Sequence, residues 1–175
     1  MTGFDRGADG VPQHGGNEIP ALAPRQLEAY FALQEGASLL QQQIEQHLRT
    51  EGDLSLVQFH ILMRLRNGTP TTMTELADGI VHSRSGLTYQ AGLLEKSGLI
   101  TRAPSPDDER ATLVTLTDKG RTTIATVLPG HVQVVRRLLF DLLPDEDLDD
   151  LGRIMGRVRD HIRAEPPRSR GSRAT

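Results

Sequence analysis

Cysteine is absent from the 175 residues, which removes disulfide frameworks, Cys-based zinc sites, thiol nucleophiles and thiol redox switches together. Long apolar runs are also missing. The longest, residues 132–143, is interrupted by Arg136 and Arg137 and falls short of the roughly 20 residues that a bilayer span needs. The opening residues have neither a basic start followed by an apolar segment nor an Arg/Ser-rich amphipathic pattern, so a cytoplasmic location without a membrane partner is expected. Lysine is scarce, with only Lys96 and Lys119, and arginine supplies the other positive charges. A formal charge of −3 argues against a protein that coats nucleic acid indiscriminately, because that affinity comes from phosphate neutralisation; any DNA-binding charge must be local. The six histidines are scattered and form neither a His-Glu-x-x-His pair nor a nucleophile elbow, so no catalytic site is expected.

What is present reads as helices, a hairpin and more helices. Residues 1–20 are rich in glycine and proline and read as a flexible arm, as does the tail 164–175. From Pro24 a long first helix is expected to about Arg49, with Gly52 ending the connection. Ser55 with Gln58 forms a capping-box pattern for a second helix, which carries Phe59, Leu62 and Leu65 inward and stops at Asn67-Gly68. Thr72 with Glu75 repeats the pattern for a short third helix to about Gly79. A fourth opens at Ser83 and closes at Ser97-Gly98. Short helices joined by tight turns outline a helix-turn-helix unit.

The period then shifts to two β-compatible runs, residues 99–103 and 111–116, around the polar loop 104–110, which predicts a hairpin with a projecting tip. Thr117 caps a fifth helix that Pro129-Gly130 should kink or break. A last helix starts near Pro144, with Asp145, Glu146 and Asp147 at its positive end, and runs to about Ile162.

The fourth helix carries the chemistry. Leu87, Ala91 and Leu94, with Leu99 beyond them, define a buried face, and Arg84, Ser85, Thr88, Tyr89 and Gln90 occupy the other face in the first two turns. A recognition helix reads the major groove with its N-terminal part. Arg suits the guanine edge and Gln the adenine edge, whereas Ser and Thr suit phosphates or a thymine methyl. At the hairpin, Arg110 follows three acids. One of them can pair with the arginine and hold it extended toward the narrow minor groove, while Arg102 is placed for a phosphate.

Together, residues 72–77 (TMTELA), 83–101 (SRSGLTYQAGLLEKSGLIT), 107–110 (DDER) and 113–120 (LVTLTDKG) resemble the MarR (multiple antibiotic resistance regulator) family, over roughly residues 21–162. The resemblance implies a mainly α fold with a small β-hairpin wing. It places one domain at residues 21–163, with the winged helix-turn-helix at about 53–117 and dimerisation helices at about 22–50 and 118–163. It implies a sequence-specific regulator, expected to be a ligand-responsive repressor, that binds a near-palindromic operator in double-stranded DNA as a homodimer. The DNA-contacting set is then Thr72, Ser83, Arg84, Ser85, Thr88, Tyr89, Gln90, Arg102, Asp108 and Arg110, with Asp108 supporting the tip arginine. No cofactor or metal is expected. The effector would be a small aromatic or phenolic molecule, anionic by analogy, lined by His60 and Arg64. Apolar residues on more than one face of residues 132–143 independently favour a partner subunit. Two alternatives remain open: a metal-responsive regulator using His47, His60 and His131, and a winged-helix protein-interaction module without DNA binding, for which the acidic segment 141–150 is a surface.

Overall fold

The computed structural model describes residues 21–80, 83–106, 108 and 110–165, with the backbone but not the side chain of Arg84. The expected arm 1–20, the tail beyond residue 165, His82, Asp107 and Glu109 lie outside the described residues. The chain divides into two units, residues 1–35 and 36–175. The described part of the first is the opening of helix α1 (Pro24–Gly52), where Leu27, Tyr30, Phe31 and Leu33 are exposed.

In the second unit α1 ends three residues later than expected. The exit is made by Asp53, at φ +50, rather than by Gly52. Aspartate is one of the few side chains that tolerate this region. Gly52 serves a different need, since a Cβ there would lie 2.6 Å from Val127 Cγ2. Both expected capping boxes are present. Ser55 starts α2 (Leu56–Leu65) with Gln58, and Thr72 starts α3 (Met73–Gly79) with Glu75. Ser83 caps α4 (Arg84–Lys96) by accepting from the Gly86 amide, and Gly98, at φ +72, makes the left-handed exit.

The hairpin pairs β2 (Ile100–Pro104) with β3 (Thr112–Leu116), in register Ile100 to Leu116 and Pro104 to Thr112. A third strand, β1 (Thr71–Thr72), was not foreseen. Two residues carry no periodicity, and this pair becomes a strand only by bonding to Leu113 and Val114, which makes β3 central and β2 an edge. The core gathers Leu48, Phe59, Leu62, Leu76, Leu87, Leu94, Val114 and Val127, a single apolar cluster that holds α4 and the hairpin from behind.

Thr117 caps α5 (Asp118–Leu138) and ties three elements together. Its hydroxyl accepts from the Gly120 amide and lies 2.8 Å from the Gly98 carbonyl, while Lys119 Nζ donates to the Ser97 carbonyl. Helix α5 continues through Pro129 without the break that was one of the two expected outcomes. The missing hydrogen bond is outweighed by packing on both sides of the proline: Ile124 and Val127 enter the core, and Gly130 lets the His47 ring sit within 2.5 Å of where a Cβ would be. A 3-10 turn (Phe140–Leu142) leads to α6 (Asp145–Ala164), which buries none of its twenty residues.

Candidate nucleic-acid interface

The start of α4 is built as a presented surface. Leu87, Ala91 and Leu94 are at most 1% exposed, whereas Ser83, Ser85, Thr88 and Tyr89 are exposed, Tyr89 by 65%. Ser85, Thr88 and Tyr89 fall at helical spacing and share one side. Gln90 departs from expectation: it is half-buried, and its Oε1 is enclosed without a hydrogen-bond partner. The signal was in the spacing, because Gln90 lies three residues after Leu87 and four before Leu94, on the side that packs. Thr72 is also committed locally. Its hydroxyl accepts from the Glu75 amide and meets Glu75 Oε2 at 2.8 Å, which is the cap of α3.

At the wing, Arg110 is exposed at the turn, as expected. Asp108 supports it by another route than the expected pairing of charges. Asp108 Oδ1 accepts from the Arg110 backbone N–H at 2.9 Å, and the Asp108 carbonyl accepts from the Ala111 amide, so the acid shapes the turn that aims the arginine. Arg102 is not presented as an open phosphate contact. Its Nε and Nη2 donate to Glu95 Oε2 and its amide to Glu95 Oε1, and its side chain is 29% exposed. Nothing in the local pattern marks Glu95, which meets Arg102 only because the chain reverses at Gly98.

Away from this face, an open cleft of about 930 Å³ is lined by both expected effector residues, His60 and Arg64, together with Gln41, Glu45, Val57 and Met63. Arg64 Nη2 donates to the Gly79 carbonyl at 2.7 Å, which fixes the guanidinium at the rim. His131 packs against Phe59 with ring centroids 4.6 Å apart and planes tilted by 48°, and its Nδ1 is buried and unpartnered. Burial, and then the neighbouring His47 and His60, push the His131 pKa below its ordinary value; burial alone lowers that of His60. Both are bases with depressed native pKa values, so they stabilise the fold above the unfolded value of about 6.5 and this contribution is lost as pH falls from there through the native values. Thermal melting followed from pH 8 to 5.5 is expected to show a falling Tm, with a shallower fall in His131→Leu; equal slopes would mean that the native ring protonates freely. Among the described residues, no group of three or more His, Asp or Glu side chains is placed to hold a metal ion.

Helix α3, the connection to α4, the exposed start of α4 and the β2–β3 wing define a winged helix-turn-helix, a DNA-binding class in which the second helix enters the major groove. The MarR family model matches residues 54–112. The regulator PecS from Dickeya dadantii is 31% identical over 112 residues, which cover 62% of this chain and 67% of PecS. Two crystal structures of MarR family regulators from Streptomyces coelicolor superpose at 30% identity. Sco3205, solved in complex with DNA, does so over 83% of this chain and 95% of its own with a TM-score of 0.79; AbsC does so over 84% and 100% with a TM-score of 0.80. The chain belongs to the MarR family: it is a DNA-binding transcriptional regulator and not an enzyme. Among the described residues, no helix is long and apolar enough to cross a membrane.

Proposed function

We propose that this regulator is a ligand-responsive repressor that binds a near-palindromic operator as a homodimer, with α4 in the major groove and the wing in the minor groove. The observation that carries the reading is the exposed start of α4, held from behind by three buried apolar residues, on the same chain as a wing whose turn presents Arg110. Helix α6 supports the second subunit. Leu148, Ile154, Val158 and Ile162 are 38% to 64% exposed, an apolar stripe left partly open to solvent. The cleft beside His60 and Arg64 supports an anionic aromatic effector, since an imidazole and a guanidinium lie there next to Val57 and Met63.

The test is binding to operator-length duplex selected from genomic fragments, measured across salt, with sedimentation to give the assembly state. Arg84→Ala is expected to relax base preference at about 1 to 3 kcal/mol, whereas Arg110→Ala should weaken binding more evenly across sequences. Equal loss of discrimination in the two variants counts against separate groove roles. A monomer at micromolar concentration counts against the dimer.

A further inference from the structure

We propose that Glu95 is a positioning residue for DNA recognition: by clamping Arg102 it fixes the wing to the end of the recognition helix, so that both groove contacts fall in one register. The proposal rests on the wing reading above for its consequence and on Glu95 geometry for its substance.

Glu95 stands in the last turn of α4, and Arg102 is the third residue of β2. The carboxylate receives three donors from one residue: the Arg102 amide at 3.1 Å, Nε at 2.9 Å and Nη2 at 2.5 Å. The amide bond matters most. As an edge strand, β2 leaves every second amide without a ladder partner. Glu95 takes the one at Arg102, so the helix holds the strand's backbone and not merely a mobile side chain. The two guanidinium bonds add an in-plane fork that resists rotation about that contact. The Arg102 guanidinium also holds the Glu95 carboxyl below its ordinary pKa, so the clamp stays charged through the neutral range.

The lever arm is long. Arg102 pairs with Val114, and Arg110 precedes Val114 by four residues, the first two of them in the turn, so the tip lies up to roughly 13 Å beyond the clamp at about 3.3 Å per residue. Over that span a slip of about 10° at Arg102 displaces the tip by roughly 2 Å, enough to break a hydrogen bond. Other restraints at the base act elsewhere: the Thr117 and Lys119 bonds go to carbonyls of Ser97, Gly98 and Leu99, before the strand, while the Arg121 bond to the Leu116 carbonyl and the pairing of β1 with Leu113 and Val114 hold β3.

The experiment is a double-mutant cycle on operator affinity between residues that do not touch. In the native background Arg110→Ala is expected to weaken binding about tenfold. In Glu95→Ala the same change should weaken it less than about threefold, whereas Arg102→Ala, which loses the guanidinium fork but keeps the backbone amide for Glu95, should give an Arg110 factor between the two. Glu95→Gln, which keeps an oxygen for the Arg102 amide, should recover most of the Arg110 effect. Melting of each variant separates positioning from stability, since a purely structural role lowers Tm and leaves the Arg110 factor unchanged. A full tenfold Arg110 effect in Glu95→Ala overturns the clamp. No Arg110 effect in the native chain overturns the minor-groove reading, and the clamp's role with it.

Discussion

Ser85→Glu is expected to abolish operator binding, by roughly 100-fold or more, while leaving the protein as stable as before or slightly more so. The position is the second residue of α4 and is exposed. A carboxylate there complements the positive end of the helix dipole, a gain of about 0.3 to 1 kcal/mol. The same charge meets phosphates once α4 enters a groove. Like charges juxtaposed in an interface cost several kcal/mol, and the proposed dimer would present the change twice. Fluorescence anisotropy with labelled duplex, alongside thermal melting, separates the two effects. Native-like affinity in this variant would place the start of α4 away from DNA and sink the orientation on which the functional reading depends.

Gly120→Ala carries the largest expected loss of stability. The residue is buried in the first turn of α5, and an added Cβ would lie 2.2 Å from the Leu99 carbonyl oxygen and 2.7 Å from Leu116 Cδ1. Backbone cannot yield as a side-chain tip does, so α5 must shift from the start of the wing. Overpacking of this kind costs about 1 to 3 kcal/mol and occasionally more, against the 0.5 to 1 kcal/mol that alanine returns in a helix. A net loss of about 2 kcal/mol should lower Tm by roughly 4 to 8 °C. Gly92→Ala supplies the contrast within α4: its nearest neighbour would be Arg102 Nη2 at 4.0 Å, so propensity acts alone and Tm should rise. An unchanged Tm in Gly120→Ala would show that the contact between α5 and the wing base is loose.

These two glycines illustrate what could be read before any coordinates. Residues 113–120 (LVTLTDKG) mark the family as a string, but the physical reason for the final glycine, an approach to Leu99 from twenty-one positions earlier, is tertiary. The capping boxes at Ser55 and Thr72 were legible because cap and partner are three residues apart and satisfy each other within one turn. The buried stripe Leu87, Ala91 and Leu94 was legible for the same local reason. Where reading failed, a distant partner decided the outcome. Pro129 breaks an isolated helix, yet α5 is held by its packing against α2 and His47. Arg102 looked open to phosphate until the chain reversal at Gly98 brought Glu95 to it. Asp108 bonds the Arg110 amide rather than its guanidinium, a turn geometry that residue type alone does not specify. Gln90 was a misreading of available information, because its spacing already placed it with the leucines.

Helix α6 has a thermodynamic consequence of its own. A twenty-residue segment in which Leu151 and Met155 are only half-buried and no residue is fully buried has little reason to stay ordered alone. Under the proposed homodimer, folding and association become linked, and apparent stability follows mass action in chain concentration. Variants are therefore comparable only at matched dilution, and regulator copy number would set how much of the folded reader exists.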